Sequence, residues 1–486
     1  MAAPARRVTA DMAFADADAI AALRDELSFE RYAASFAAAR GGAAREVHLF
    51  VGPPNSGKTY EALRLLAAAP SGAYLAPLRL LALEGRDELE KLGVSCDLVT
   101  GEDRETAEGA THVSSTVECI DARTPLDTIV VDEAQMLFDE QRGWAWTAAL
   151  LGAPARALVV LCAPHAEAAV RALLRAAGEE PGDARVFERK GGALAVLDAP
   201  VALADLEPGD AVVSFARMDA LVTRDTLLKG GRAAAVIYGA LPPDVRRREA
   251  ARFASGAVTL LSATDAIGMG LNLPVRRILF GSLVKWDGFA TRDVSVSEVH
   301  QIGGRAGRFG HVEEGFVGVL DSAEPGALPA LRAALARAPA APRDFRAAVM
   351  LSAWHVDAIA ARLGLDDLRT VIDVFARRLG LTAESSPFVV ADVERLEELA
   401  TALDSAARAL PLADRFAYAT APVGRDKAAL ADFIGWAAAH AADGAVGAPA
   451  FLLPPPRAPG LADFEKALQA ANLWLYLDAK FPAAHV

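Results

Sequence analysis

Short apolar runs alternate with amphipathic segments through the first part of the chain. The runs stand at 47–51, 73–76, 129–131 and 157–162. Strands that are buried on both faces form continuous apolar runs, and the amphipathic segments between them suit helices that connect neighbouring parallel strands. The pattern therefore predicts a first α/β lobe built on a parallel sheet.

A second series of apolar runs follows with the same alternation. These runs stand at 211–215, 234–237, 258–261, 277–280 and 316–320. The repetition predicts a second lobe of the same architecture. Beyond it, segments rich in Ala, Leu and Arg are broken by Pro or Gly and show no strand pattern, which predicts a mostly helical C-terminal region.

The breaks between these patterns divide the chain. A length of 486 residues also favours about three domains. The predicted parts are an N-terminal helical segment at 1–42, a first lobe at 43–182, a second lobe at 183–328 and a helical C-terminal domain at 329–486. The N-terminal segment is typical of a packing or docking helix rather than of a catalytic part.

The composition is that of a folded globular protein, but the net charge is −13. This charge disfavours a protein that coats nucleic acid through bulk positive charge, because phosphate binding needs Lys and Arg. Any nucleic-acid track must be local, and two basic stretches are candidates, at 185–190 and 246–252. A solvated helix or loop face is an equally good interpretation of each stretch.

Cysteine usage and the N-terminus bear on location. Cys96, Cys119 and Cys162 show no zinc or disulfide spacing, which favours a reducing compartment. The acidic residues that follow Arg6 and Arg7 disfavour a transit peptide or a secretory signal. No apolar run approaches the ~18 residues of a membrane helix. We expect no membrane span and a bacterial cytoplasmic location, with the mitochondrial matrix as the alternative.

A phosphate-binding loop follows the first apolar run. Its residues are Gly52, Pro53, Pro54, Asn55, Ser56, Gly57, Lys58 and Thr59. The loop stands between a predicted strand and a predicted helix, as the P-loop pattern requires. Backbone N–H groups at the helix start can face phosphates, Lys58 can reach the β and γ phosphates, and the Thr59 hydroxyl can bind Mg²⁺. We therefore predict ATP and Mg²⁺ as ligands.

An acidic pair follows the run at 129–131. Asp132 and Glu133 should emerge at the C-terminal edge of the sheet, where ligands bind in such folds. Asp132 then suits Mg²⁺, and Glu133 suits the orientation or deprotonation of attacking water. A helix cap or a turn is the usual interpretation of an isolated acidic pair, but the P-loop in the same lobe favours the functional one.

Two arginines, Arg305 and Arg308, stand three residues apart in the second lobe, shortly after Gln301. Arginines on a separate lobe can reach a γ-phosphate across a cleft and stabilise the charge of the transition state, so that hydrolysis depends on closure of the lobes. Surface positions at a helix start are the alternative for either arginine alone.

Taken in order, these segments resemble superfamily-two helicases, and specifically the RNA helicase of the mitochondrial degradosome with its bacterial relatives. Besides the P-loop, the resemblance rests on the stretches 76–82, 115–118, 132–136, 142–146, 241–246, 263–273 and 301–310. It implies two tandem RecA-like α/β lobes followed by a helical region. It also implies ATP-driven 3′-to-5′ unwinding of RNA duplexes, often with an exoribonuclease partner.

The resemblance also implies roles for single residues. The predicted catalytic set is Lys58, Glu133, Gln301, Arg305 and Arg308. The residues that would hold the RNA backbone are Pro77, Arg79, Thr116, Ser214 and Thr264. The residues that would contact the nucleotide and couple it to this grip are Asp265, Gly268 and Gly270. Two tryptophans, Trp144 and Trp146, could stack on bases, although core positions are the more common interpretation.

The chain departs from the family pattern at two places. Where many superfamily members have Ser-Ala-Thr, this chain has Cys162, Ala163 and Pro164, so coupling through a hydroxyl cannot be assigned there. Pro54 stands where the family often has Thr, which is tolerable if only backbone geometry matters. No glutamine motif that reads adenine precedes the loop, which predicts loose choice among nucleotides.

Two other functions fit the same residues. A DNA or RNA–DNA helicase or translocase is one, since neither lobe has a sequence feature that senses a 2′-hydroxyl. A nucleic-acid-binding scaffold with an inert ATPase fold is the other. The full set of P-loop, acidic and arginine residues argues against an inert fold, because such a fold has no need of them.

Overall fold

The computed structural model describes residues 17–29, 32–33, 36, 45–101, 104–190, 194–239, 241–268, 273–286, 290–307, 314–381, 386–424, 426–447, 449 and 461–485. Two predicted site residues, Gly270 and Arg308, lie outside this part of the chain. Among the helices within it, none combines the length and the apolar content that a bilayer-spanning segment needs.

An N-terminal helix, α1 (Ala17–Glu26), precedes a first lobe built on an eight-stranded sheet. The strands are β1 (Glu46–Val51), β2 (Gly72–Ala76), β3 (Cys96–Val99), β4 (Arg104–Glu105), β5 (His112–Thr116), β6 (Leu126–Val131), β7 (Ala155–Cys162) and β8 (Arg185–Val186). Their order across the sheet is β4-β3-β5-β2-β6-β7-β1-β8, and every pairing is parallel except that of β3 with β4. The helices between them are α2 (Lys58–Ala67), α3 (Arg79–Lys91), α4 (Gly143–Gly152) and α5 (Glu167–Ala176).

The central strands of this sheet are buried on both faces. In β6, Val130 packs into the core on one face, and Ile129 and Val131 pack into the core on the other. Side chains alternate between the faces of a strand, so an apolar residue is needed at every position. This requirement explains the continuous apolar runs in the sequence.

The second lobe is a six-stranded parallel sheet. Its strands are β9 (Leu194–Val196), β10 (Asp210–Ser214), β11 (Ala234–Ile237), β12 (Leu260–Thr264), β13 (Arg277–Phe280) and β16 (Gly315–Val319). A separate hairpin of β14 (Val284–Trp286) and β15 (Thr291–Asp293) lies between β13 and β16 in the chain. The order is β11-β12-β10-β13-β16-β9. Its helices are α6 (Arg217–Lys229), α7 (Pro243–Ala254), α8 (Val296–Gly303) and α9 (Ala327–Ala336). The predicted pair of parallel-sheet lobes is therefore confirmed.

The chain crosses between the lobes later than the sequence pattern suggested. Strand β8 pairs with the end of β1, so the first sheet continues past residue 182. Strand β9 pairs with β16 in the second sheet. The crossing therefore falls between Val186 and Leu194, and two-residue strands such as β8 are too short to leave a hydrophobic pattern.

The C-terminal region is mostly helical, as predicted, with one short parallel strand pair that the sequence pattern did not reveal. Its elements are β17 (Ala347–Val349), α10 (Ala353–Leu363), α11 (Leu368–Asp373), β18 (Phe388–Val390), α12 (Glu394–Ala406), α13 (Leu412–Ala419), α14 (Lys427–Asp443) and α15 (Leu461–Lys480). Its core is continuous with one face of the first sheet. Phe138 and Phe345 meet edge to face there, with their ring centroids 4.8 Å apart.

The N-terminal segment packs on this C-terminal region. Leu23 and Leu27 are buried, and the Phe29 ring lies 6.0 Å from that of Phe375 and 6.3 Å from that of Phe388. Burial of these side chains supports a packing role for the segment.

Candidate nucleotide site between the two lobes

The phosphate loop begins where strand β1 ends, at the C-terminal edge of the first sheet. Asn55 and Gly57 have φ values of 60° and 83°. Glycine adopts this left-handed conformation without strain, and asparagine tolerates it better than most residues. Helix α2 begins at Lys58, so its free N–H groups face the loop. The Lys58 side chain is buried and its ammonium lies 3.4 Å from the Pro53 carbonyl oxygen.

Three donors converge on the buried carboxylate of Asp132, directly after β6. The Thr59 hydroxyl donates to it at 3.2 Å, the Tyr74 hydroxyl at 2.7 Å and the Glu133 backbone N–H at 2.7 Å. The structure thus brings together Thr59 and Asp132, the two residues predicted to bind Mg²⁺. Tyr74 was not predicted, because it reads as one more apolar residue of β2.

Burial and the neighbouring charge of Glu133 raise the pKa of Asp132 to about 6, although Lys58 acts in the opposite direction. A divalent cation beside the carboxylate would favour the ionised form. The site therefore suits a cation that compensates for the lost hydration of Asp132.

Glu133 is held by a side chain that links it to the neighbouring strand β7. Its backbone has a φ of 50°, an unfavourable conformation for a residue with a long side chain. Gln135 donates its side-chain amide to the Glu133 carboxylate. The same amide group accepts a hydrogen bond of 3.0 Å from the Ala163 backbone N–H. The Cys162-Ala163-Pro164 stretch thus contacts Gln135 through the backbone N–H of Ala163.

On the second lobe, Arg305 is bound within its own lobe. Its guanidinium donates twice to the Gly268 carbonyl, at 2.9 and 2.7 Å. The structure therefore joins Arg305, a predicted catalytic residue, to Gly268, a predicted nucleotide residue, through two of the five N–H groups of the guanidinium.

Asp265 is tied to a charged network beside helix α8. Lys285 bonds to Asp265 at 2.9 Å and to Glu298 at 3.0 Å, and Arg292 bonds to Glu298 at 2.9 Å. Burial alone would raise the pKa of Glu298, but hydrogen bonds from Arg292, Ser295 and Lys285 outweigh it and bring the pKa to about 2. The network links Asp265 to the helix that carries Gln301.

The lobes meet at the phosphate loop. A Cβ added at Gly304 would lie only 3.1 Å from the Pro54 Cβ, so the Pro54 ring packs against the Gly304 backbone and leaves little room for a side chain there. The Asn55 side-chain amide donates to the Gly307 carbonyl at 3.0 Å. Leu80 of the first lobe also packs in the core of the second. The predicted cleft is therefore bounded by the loop on one side and by residues 304–307 on the other.

Two polar atoms of this region fit a triphosphate. The Ser56 hydroxyl and the Gln301 side-chain amide nitrogen are buried without a hydrogen-bond partner in the described part of the chain. A buried donor without a partner costs about 1–3 kcal/mol, and phosphate oxygens are acceptors that remove this cost. No group of three or more His, Cys, Asp or Glu forms a metal site among the described residues. A cation held by Thr59 and Asp132 would therefore take phosphate oxygens and waters as further ligands.

The residues predicted to hold RNA lie at strand ends of both sheets. Thr116 stands beside Ala76 in the register of β5 and β2, which puts it next to Pro77. Ser214 and Thr264 are register partners in β10 and β12. All three hydroxyl side chains are largely buried. Arg79 begins helix α3.

A cavity of about 310 Å³ adjoins this edge of the second sheet. It is lined by Ser214, Phe215, Lys285 and Trp286, among others. Trp286 is 62 % exposed, so an aromatic surface is accessible beside the predicted RNA residue Ser214.

The candidate basic stretches are largely engaged within the protein. Their partners are Glu61 for Arg185, the carbonyls of Tyr238 and Gly239 for Arg246, Asp87 for Arg247, and Glu249 for Arg252. Arg246 is buried and has a structural role, whereas Arg185, Arg247 and Arg252 stay about half exposed. Trp146 is likewise a core residue, because it is fully buried and its indole N–H donates to the Asp132 carbonyl at 2.9 Å.

Sequence reasoning assigned no role in the site to Tyr74 or Gln135. Tyr74 carries no motif that distinguishes it from a core tyrosine. Gln135 offered a signal, since it follows the acidic pair at a spacing that returns its side chain to Glu133.

Two parts of the chain match helicase family models, and the chain aligns with named RNA helicases. Residues 33–182 match the family model for the DEXQ-box helicase domain of Suv3, and residues 195–310 match that for the helicase conserved C-terminal domain. The chain is 44% identical over 269 residues to the mitochondrial DExH-box ATP-dependent RNA helicase DExH16 of Arabidopsis thaliana, covering 54% of this chain and 47% of that protein. It is 36% identical over 385 residues to the mitochondrial ATP-dependent RNA helicase SUV3 of Oryza sativa subsp. japonica, covering 78% of this chain and 64% of that protein.

The chain thus spans roughly half to two thirds of the length of these relatives. Among solved structures, the Escherichia coli DEAH/RHA helicase HrpB aligns with a TM-score of 0.51 at 15% identity, covering 93% of this chain and 60% of that one. At this identity the likeness shows a shared fold.

Proposed function

Because this chain carries a Suv3-type DEXQ-box helicase domain followed by a helicase C-terminal domain, we propose that it is an ATP-dependent RNA helicase. The observation that carries the proposal is the convergence of Thr59 on Asp132 beside the phosphate loop, with Gln301 and Arg305 on the facing lobe. The curated relatives, which are named as ATP-dependent RNA helicases, support the same activity.

In this proposal the first lobe binds and activates the nucleotide. Lys58 and the loop N–H groups bind the phosphates of ATP, and Thr59 and Asp132 hold Mg²⁺, which would neutralise charge on the phosphate oxygens. Glu133 orients the attacking water and takes its proton. The hydrogen bond from Gln135 supports this role, because it fixes the carboxylate relative to β7.

The second lobe makes hydrolysis depend on closure. Among the described residues, the buried side-chain nitrogen of Gln301 has no hydrogen-bond partner, and it would donate to a phosphate oxygen. Arg305, which contacts the Gly268 carbonyl, would direct its guanidinium to the γ-phosphate. Arg308 would act with it. Gly268 ends the short turn at 265–268 that follows β12, and the predicted RNA residue Thr264 is the last residue of that strand. A movement of Arg305 at the Gly268 carbonyl would therefore couple nucleotide state to the RNA grip.

RNA would lie across the C-terminal strand ends of both sheets. The candidates are Pro77, Arg79, Thr116, Ser214 and Thr264. Contacts to sugar and phosphate carry little sequence information, so we expect binding to many sequences that weakens as salt concentration rises. Unwinding is proposed to run 3′ to 5′, and an exoribonuclease is the proposed partner.

The first experiment measures ATP hydrolysis with and without single-stranded RNA, together with unwinding of a duplex that bears a 3′ RNA overhang. RNA-stimulated hydrolysis and overhang-dependent unwinding, both lost in Lys58→Ala, are expected. Matched DNA duplexes and 5′ overhangs test the substrate and the polarity. Tight RNA binding without hydrolysis in the wild-type protein would point to a scaffold instead.

A Glu133→Gln variant tests the assignment of the general base. Hydrolysis should fall by about 10²–10⁴-fold while nucleotide binding persists. Wild-type hydrolysis in this variant would remove the assignment.

The cellular location of this protein is proposed from the location given in the names of its relatives. Both are named as mitochondrial, which supports the mitochondrial alternative, and the bacterial cytoplasmic prediction is not confirmed. Subcellular fractionation of the source cells, with the protein followed by antibody, distinguishes the two.

A further inference from the structure

The segment that connects the lobes follows the phosphate loop closely. The Phe187 N–H donates to the Val51 carbonyl at 2.7 Å. The Lys190 N–H donates to the Asn55 carbonyl at 2.8 Å, and the Asn55 side-chain amide donates back to the Lys190 carbonyl at 2.9 Å. Residues 187–190 are thus bonded at their start to the last residue of β1 and at their end to the phosphate loop, so a shift of the loop moves Lys190 and its neighbours.

Arg189, in the same segment, reaches the second lobe. Its guanidinium donates to the carbonyls of Gly304, at 2.8 Å, and Ala306, and a third contact reaches Gly307 at 3.5 Å. These carbonyls follow the end of helix α8 at Gly303, where backbone carbonyls lack helical partners and the helix dipole favours a cation. Arg189 therefore caps the turn that contains Arg305.

The placement of Arg189 has a solvation cost. Burial lowers the pKa of its guanidinium, since water is replaced by protein around a charged group. The carbonyls offset this cost through a planar fork of donors, which a lysine cannot reproduce.

We propose that Arg189 is a positioning residue for nucleotide hydrolysis, which holds residues 304–307 of the second lobe against the phosphate loop. The inference rests on the proposed ATPase function. In this arrangement the connecting segment transmits the position of the loop to the turn that carries Arg305. The Asn55–Gly307 hydrogen bond is a second, direct link between the loop and this turn.

Another arginine provides a matched control. Arg232 donates to the carbonyls of Leu203, Ala204 and Leu206 within the second lobe. It caps several carbonyls as Arg189 does, but it makes these contacts within one lobe. Loss of either guanidinium leaves carbonyls without donors, so a purely structural effect would be similar in the two variants.

The kinetic test compares Arg189→Gln, Arg189→Lys and Arg232→Gln with the wild type in RNA-stimulated ATP hydrolysis. In Arg189→Gln we expect kcat to fall about 10- to 100-fold, with KM for ATP changed less than about threefold, because the turn is misplaced while the loop still binds nucleotide. Arg189→Lys should recover part of kcat, and Arg232→Gln should keep it. An Arg189→Gln kcat equal to that of the wild type, or an equal loss in Arg232→Gln, overturns the inference.

A second test needs no hydrolysis. Hydrogen–deuterium exchange follows the backbone N–H groups of Arg305, Ala306 and Gly307, each of which donates to a backbone carbonyl at 3.0 Å. Arg189→Gln should speed their exchange several-fold in the nucleotide-free protein, while Arg232→Gln should not. Unchanged exchange in Arg189→Gln contradicts the positioning role even if the protein hydrolyses no ATP, so the two proposals can fail separately.

Discussion

The side-chain amide of Gln135 donates to the carboxylate of Glu133, two residues earlier in the chain. The other atom of the same amide accepts from the Ala163 backbone. A single side chain therefore sets the position of the proposed general base relative to the neighbouring strand.

Replacement of Gln135 by Glu should slow hydrolysis more than it weakens nucleotide binding. The new carboxylate would repel Glu133 and could not donate to it, so the base would be displaced. We expect kcat to fall about 10- to 100-fold with little change in KM for ATP, measured by steady-state hydrolysis with saturating RNA. Gln141→Glu, at an exposed position nearby, is the control and should behave as the wild type. Equal kcat values for the two variants would refute the role of Gln135.

Replacement of Tyr74 by Phe should raise the Mg²⁺ concentration needed for hydrolysis. The Tyr74 hydroxyl donates to Asp132 at 2.7 Å and lowers the pKa of that carboxyl. Without it, Asp132 holds its proton more tightly and competes less well for the cation. A hydrogen bond to a charged group contributes about 1.5–3 kcal/mol, so a Mg²⁺ titration of ATPase activity should shift by tenfold or more. Tyr60→Phe, on the exposed side of α2, should leave the titration curve in place.

Acidification should destabilise the contact between the N-terminal segment and the C-terminal region through His355. The ring is fully buried, lies 6.0 Å from that of Tyr32, and accepts at Nδ1 from the Ser352 N–H at 3.1 Å. Burial lowers the pKa of His355 to about 3. Below pH ~6.5 the His355 side chain is protonated in the unfolded state but stays neutral in the folded state. The free energy of unfolding therefore decreases as the pH falls from ~6.5 towards 3.

Urea unfolding between pH 7 and pH 5 measures this effect. The free energy of unfolding should fall by at most ~1.4 kcal/mol per pH unit from this group, and His355→Gln should reduce the slope. His48→Gln, in which an exposed ring is replaced, is the comparison. The same slope in the wild type and in His355→Gln would count against the buried imidazole as the cause.

Arg415 should be essential for the stability of the C-terminal region. It is fully buried and bonds to the carboxylates of Asp404 and, at 2.7 Å, Asp366. Removal of one partner from a buried ion pair costs about 3–5 kcal/mol, because the other charge stays buried without compensation. Arg415→Met should therefore lower the free energy of unfolding by this order. Arg408→Met, which removes an exposed contact to Asp366, should change it by less than about 1 kcal/mol.

The sequence by itself determined the two parallel-sheet lobes, the stretches of chain that form their buried central strands and the position of the phosphate loop. These features depend on neighbouring residues in the chain. A strand buried on both faces must be apolar throughout, and the phosphate loop is a run of consecutive residues between a strand and a helix. The position of Asp132 and Glu133 beside the phosphate loop was also predictable, because the carboxyl ends of parallel strands lie at one edge of a sheet.

Only the tertiary structure decided which residues complete the site. Tyr74 reaches Asp132 across 58 positions, and Arg189 reaches Gly304 across 115. The packing of the N-terminal segment on helices and strands more than 300 residues away is of the same kind. A buried tyrosine has the same pattern in a sequence whether or not its hydroxyl meets a carboxylate, and an arginine likewise whether it caps carbonyls or faces water. Such contacts depend on the relative placement of whole sheets, which is set by packing over the entire core.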